Sequence, residues 1–86
     1  MKLWLISQVA NDDYDTYDAA VVAAETEADA RNMHPGGHGG VLWDRAASER
    51  GFSSWCYAPE QVTVRLIGDA IEGTEAGVIL ASFNAG

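Results

Sequence analysis

Residues 3–24 read LWLISQVANDDYDTYDAAVVAA, and this stretch decides the fold because two apolar runs flank one polar, acidic turn. The first run, Leu3–Val9, is rich in β-forming residues and apolar on both faces, as in a strand inside a sheet. The second run, Tyr17–Ala24, contains many alanines, but the β-branched Val21 and Val22 favour a strand over a helix. The two runs are therefore predicted to pair as a hairpin closed by the loop 11–15.

A helical insert is predicted after this hairpin. Thr26 is placed to cap a short helix over Glu27–Met33, with Asp29 three residues later in a capping-box arrangement. Pro35 ends this helix, because the residue before a proline avoids the α region. A second short helix is predicted over Asp44–Arg50.

The last third of the chain predicts two further strands. Val62–Ile67 alternates apolar and polar residues over most of its length, which is typical of a half-buried strand. Val78–Phe83 is mostly apolar, which favours a central strand. The prediction is an α+β fold, an antiparallel sheet of about four strands in two hairpins with one or two short helices between them.

Size and cysteine content indicate a small protein of a reducing compartment. Its 86 residues leave room for one domain, residues 1–86. Cys56 is the only cysteine, so no intramolecular disulfide is possible, as is usual in the cytoplasm. The apolar run Leu3–Ile6 is too short for a signal peptide or a membrane span. We therefore expect a soluble cytoplasmic protein.

The net charge of −8 is concentrated near the N-terminus, where residues 3–30 hold seven carboxylates and no Lys or Arg. Two of them, Glu27 and Asp29, lie where a helix start favours negative charge. Nucleic acids and anionic membranes bind clustered Lys and Arg, so this balance argues against both as direct partners. Any charged partner should be basic.

The motifs of metal sites and enzymes are incomplete. A calcium loop that starts at Asp12 or Asp13 would lack the glycine at its sixth position and the Glu at its twelfth. His34 and His38 have ligand-like spacing and Cys56 could be a third zinc ligand, but no fourth is evident. Nothing in the sequence activates Cys56 as a nucleophile. We expect no metal, no cofactor and no enzymatic activity.

The middle of the chain is rich in glycine, histidine and aromatic residues. The three tryptophans, Trp4, Trp43 and Trp55, are predicted to lie mainly in the core, because a small domain needs large apolar side chains. The alternative function is that the Trp/His/Gly-rich segment 34–57 forms a pocket for a small ligand.

The acidic loop is the main candidate for a protein-binding surface. In an extended segment Asp13 and Asp15 share one face about 6.6 Å apart, close to the phosphate repeat along a nucleic-acid strand. Interleaved tyrosines supply flat apolar area for an interface. The alternative is a solubilising face without a partner. The candidate partner-binding residues are Asp12, Asp13, Tyr14, Asp15, Tyr17 and Asp18, extended by Glu25, Glu72 and Glu75 if the fold brings the two hairpins together.

Several strings in the chain resemble a family of small acidic phage and prophage proteins. They are YDTYD at 14–18 running into AAVVAAE at 19–25, then AR at 30–31, HP at 34–35 and ASFNAG at 81–86. The characterised relatives are anti-CRISPR proteins that act on type I systems. The resemblance implies a monomeric or small oligomeric inhibitor of the bacterial cytoplasm that needs no cofactor. Several anti-CRISPR proteins present carboxylates in place of phosphates and thereby block the target-DNA channel of the surveillance complex.

Overall fold

The computed structural model describes residues 1–11, 16–37, 40, 41, 43 and 54–84. Its elements, in chain order, are β1 (Lys2–Ser7), β2 (Thr16–Ala24), α1 (Glu27–Arg31), a single 3₁₀ turn (Pro59–Gln61), β3 (Thr63–Asp69) and β4 (Gly77–Asn84). The strands form one antiparallel sheet in the order β3-β1-β2-β4. The α+β class and the four predicted strands are confirmed.

The pairing of β1 with β2 confirms the first predicted hairpin, with Trp4 opposite Val22 and Ile6 opposite Ala20. The second predicted hairpin is wrong, because β3 pairs with β1 and β4 pairs with β2 at opposite edges of the sheet. The segment 70–76 joins them across the ends of both central strands. Seven residues reach this far, since three strand spacings of about 4.8 Å make about 14 Å. The central position predicted for 78–83 is also wrong, because β4 is an edge strand.

One face of the sheet carries the core. Ala30 of α1, together with Trp55, Cys56 and Val62, covers this face. The central strands contribute to this core the buried apolar side chains of Trp4, Ile6, Ala20, Val22 and Ala24. The prediction that tryptophans lie in the core is confirmed for Trp4 and Trp55, whereas Trp43 is half-buried.

The opposite face of the sheet is also apolar, which explains why β1 is apolar at successive positions. Leu3 and Leu5 of β1 and Val21 of β2 are half-buried there, and Leu80 of the edge strand β4 is 69% exposed. A half-buried apolar side chain gains only part of the roughly 2 kcal/mol that full burial contributes. The sheet is therefore stabilised mainly from its other face.

The helix α1 is tied to the segment before β3. Thr26 Oγ1 accepts a hydrogen bond from the Asp29 amide at 3.1 Å, which confirms the predicted cap. The helix ends at Arg31, two residues earlier than predicted. The Arg31 guanidinium donates to Pro59 O at 3.0 Å and Val62 O at 2.6 Å, and it forms an ion pair with Glu27 at 2.9 Å. This side chain thus holds the 3₁₀ turn against the helix.

The second predicted helix, Asp44–Arg50, lies outside the described residues. Among those that are described, no helix has the length and apolar character needed to cross a bilayer.

Candidate functional site

A buried polar network lies where β1 ends and β2 begins. We call this region, defined by Gln8, Asn11 and Thr16, the loop end of the sheet. Gln8 Nε2 donates to the carbonyl oxygens of Asn11 and Tyr17, both at 2.8 Å, and Gln8 Oε1 accepts from the Asn11 amide at 2.8 Å. One buried amide therefore binds the chain on both sides of the acidic loop.

The segment 54–55 supports this network from the core side. Asn11 Nδ2 donates to Trp55 O at 2.9 Å, and the Tyr17 amide donates to Ser54 O at 2.8 Å. Gln8, Asn11 and Thr16 are each less than 5% exposed. Buried polar groups that lose their partners incur a desolvation penalty of about 1–3 kcal/mol each. The loop end is thus held in place by buried polar groups whose hydrogen bonds cannot be lost without this penalty.

Sequence reasoning missed Gln8 and Asn11, although one signal was present. Alternation along β1 places Gln8 on the same face as Trp4 and Ile6, which are buried. A polar residue at a core-facing position needs buried hydrogen-bond partners. The strand pattern could therefore have pointed to a network at this end of the sheet.

Asp18 lies in a β-bulge between β2 and β4. Tyr17 pairs with Phe83 and Ala19 pairs with Ser82, so Asp18 is the extra residue. Alternation from Ala20 would direct position 18 towards the core, yet the Asp18 side chain is exposed. Bulges redirect side chains in this way. A carboxylate is thereby kept in solvent at a position that regular pairing would bury.

A cavity of about 560 Å³ opens next to this bulge. It is lined by Gln8, Val9, Asn11, Thr16, Asp18, Ser82 and Phe83. The Phe83 ring is 47% exposed and makes an edge contact with Tyr17, with ring centroids 4.7 Å apart. The described lining residues thus combine one carboxylate, one accessible aromatic ring and several polar groups, with no cationic side chain among them.

The structure separates the predicted partner-binding residues. Tyr17 and Asp18 lie at the loop end, whereas Asp12, Asp13, Tyr14 and Asp15 lie outside the described residues. Three others lie at the opposite end of the sheet, which we call the far end and define by Glu25, Glu72 and Glu75.

The register of the strands fixes the far end. Lys2 pairs with both Ala24 and Asp69, and Ala23 pairs with Gly77, so the segment 70–76 passes the end of β2 that Glu25 follows. The nine residues of β2 are separated by eight steps of about 3.3 Å, so the strand spans about 26 Å. Glu25, Glu72 and Glu75 therefore do not extend the surface around Asp18.

His34 is buried beside Tyr17, with ring centroids 5.9 Å apart. His34 Nδ1 accepts a hydrogen bond from the Gly36 amide at 2.9 Å, so the ring proton of a neutral His34 lies on Nε2. Nε2 is 3.2 Å from Ser54 Oγ and donates to it. In this tautomer His34 cannot take a proton from Ser54, so the pair lacks the arrangement of a nucleophile and its base.

The other two candidate zinc ligands are Cys56 and His38. Cys56 is buried, with Sγ 3.5 Å from Ala58 O, and His38 lies outside the described residues. No group of three or more His, Cys, Asp or Glu side chains is arranged to hold a metal ion in the part of the chain that the structure describes.

A second cavity, of about 360 Å³, borders the glycine-rich segment. It is lined by Met33, His34, Gly37, Gly40, Ala76, Gly77 and Val78. Among the described residues that line it, His34 is the only one with a polar side chain, and both of its ring nitrogens have protein partners. Ligand binding by the middle segment stays a prediction.

No family model, curated protein or solved structure matches this chain. The resemblance to phage anti-CRISPR proteins therefore stays a prediction.

Proposed function

We propose that this protein is an acidic inhibitor that binds the basic, nucleic-acid-binding surface of another protein in place of DNA. The observation that carries the proposal is the Gln8 network, which binds the chain on both sides of a loop where three of the four residues 12–15 are acidic. Fixed attachment points reduce the conformational entropy that a loop loses on binding. If the acidic loop lacked this buried support, a solubilising surface without a partner would be the better interpretation.

Electrostatics favours a basic protein as the partner. A net charge of −8 attracts positively charged surfaces over distance and speeds their association, while it repels DNA and RNA. The resemblance to anti-CRISPR proteins supports one target in particular, the DNA-binding channel of a type I CRISPR surveillance complex in the cytoplasm of the host cell. On this proposal the protein blocks target DNA without a cofactor and without catalysis.

Two charge-reversal variants with the same net charge test the proposal. The first replaces Asp13 and Asp15 with Lys at the loop, and the second replaces Glu72 and Glu75 with Lys at the far end. Both are titrated against the purified surveillance complex by calorimetry, in competition with target DNA. We expect the loop variant to lose about 100-fold or more in affinity, because like charges placed against each other at an interface cost several kcal/mol. The far-end variant should lose about threefold or less.

The matched pair separates location from total charge. Equal losses in the two variants would mean that net charge alone drives binding and that the loop has no special role. Full binding by the loop variant would show the proposal to be wrong. Wild-type binding should also weaken steeply between low and physiological salt, since screening acts on such interactions.

A further inference from the structure

We propose that the cavity beside the Asp18 bulge binds an arginine side chain of the basic partner. This inference rests on the proposed function and adds to it the chemical group that the partner inserts. The observation behind it is the position of Asp18 in β2. A carboxylate occupies a core-facing position of a central strand, and a bulge is needed to keep it in solvent.

Packing does not require an acid at position 18. The neighbouring core-facing positions, Ala20 and Val22, carry small apolar side chains that are buried. The bulge interrupts the ladder between β2 and β4, and Asp18 lines the cavity together with Ser82 and Phe83. Bulges of this kind are found where a side chain is directed towards a ligand.

The residues that line the cavity can bind both the N–H edge and the plane of a guanidinium group. The Asp18 carboxylate can accept two parallel N–H bonds from it, the strongest geometry for such a pair. The Phe83 ring, which is 47% exposed, can stack on its plane, and the edge contact with Tyr17 holds the ring in place. The exposed Ser82 hydroxyl offers a further acceptor. The volume of about 560 Å³ lies within the range of about 300–1,000 Å³ that is usual for ligand pockets.

Arginine fits this site better than lysine. A lysine ammonium is a compact, strongly hydrated charge that gains little from a planar aromatic neighbour or a forked acceptor. A purely electrostatic surface would accept both side chains about equally. Selectivity for arginine is therefore the property that distinguishes the cavity from the general acidity of the chain.

The test compares two peptides, acetylated tetra-arginine amide and acetylated tetra-lysine amide, titrated into the full-length protein at low salt by nuclear magnetic resonance. For the wild type we expect about tenfold tighter binding of the arginine peptide, with the largest shifts at Asp18, Ser82 and Phe83. Asp18→Asn and Phe83→Leu should each reduce this preference to about twofold or less. The matched control Glu75→Gln removes the same charge at the far end and should retain the full preference.

Equal binding of the two peptides by the wild type would overturn the arginine site. An unchanged preference in Asp18→Asn, or an absence of binding by either peptide, would overturn it as well. None of these results decides the proposed function, because the Asp13 and Asp15 reversals measure inhibition of the basic partner independently of the cavity. Phe83→Leu gives a second readout on the aromatic wall if Asp18→Asn alters the bulge.

Discussion

The two ends of the sheet carry the same kind of charge but differ in what lies beneath it. At the loop end, Gln8 and Asn11 are buried and hydrogen-bonded to the chain on both sides of the acidic loop. At the far end, Glu25 lies 4.0 Å from the N-terminal ammonium, an ion pair that contributes little at an exposed site. Carboxylates alone therefore do not distinguish a binding site from a solvated surface. The buried polar groups that support them do.

The largest loss of stability is expected when the Gln8 side-chain amide is removed from the loop end. In Gln8→Leu the Asn11 amide and the carbonyl oxygens of Asn11 and Tyr17 lose a buried partner, so we expect the free energy of unfolding to fall by about 3 kcal/mol. Urea denaturation followed by tryptophan fluorescence measures this loss.

The matched control for this change is Gln61→Leu. Gln61 Oε1 also accepts from two backbone amides, those of Tyr57 and Ala58, but this residue is exposed and water can replace its bonds. A loss of about 1 kcal/mol or less is expected there. Similar losses in the two variants would mean that the loop end is no more firmly held than an ordinary surface turn.

A smaller effect is expected from the loss of an exposed hydrogen bond near the far end. Thr26→Ala removes the cap of α1, which should lower the free energy of unfolding by about 1 kcal/mol, whereas Thr26→Ser should stay close to wild type. Thermal melts of the three proteins at one pH measure the difference. A loss as large as that of Gln8→Leu would contradict the view that the loop end is the more firmly held of the two.

The smallest effect should come from the far-end carboxylates. Glu72→Gln combined with Glu75→Gln should change the free energy of unfolding by no more than about 0.5 kcal/mol, because both side chains are exposed. The sign should be slightly stabilising at low salt, since the self-repulsion of an acidic chain decreases. Denaturation curves at low and high salt measure both the size and the sign of this change. Destabilisation above about 1 kcal/mol would reveal a structural role for these residues that their exposure does not suggest.

Much of the local structure could be predicted from the sequence, because it depends on neighbouring residues. The β-branched Val21 and Val22 indicated a strand in spite of the alanines around them, and Thr26 indicated the start of the helix. The order of the strands could not be predicted in the same way. The glycine-bounded segment 68–77 is compatible both with a tight hairpin and with a crossover. The structure has the crossover, because β1 and β2 each pair with a strand on both sides.

The site could be predicted only in part for a similar reason. Acidic residues near Tyr17 are evident in the sequence, and so is the absence of Lys and Arg around them. The exposure of Asp18 depends on the register between β2 and β4, which lie far apart in the chain. Its neighbours Ser82 and Phe83 come from that distant strand, so no local pattern brings the three together.

The edge position of β4 has a consequence for how molecules of this protein behave towards one another. The outer edge strand β3 carries Arg65 and Asp69, charges that discourage pairing with a foreign strand, but β4 contains no charged residue at all. Its ladder to β2 is interrupted at two places, which twists the edge and makes it a poorer template for aggregation. The remaining protection against aggregation is the electrostatic repulsion between molecules. The repulsion between copies with a net charge of −8 keeps their uncharged edges apart in concentrated solution.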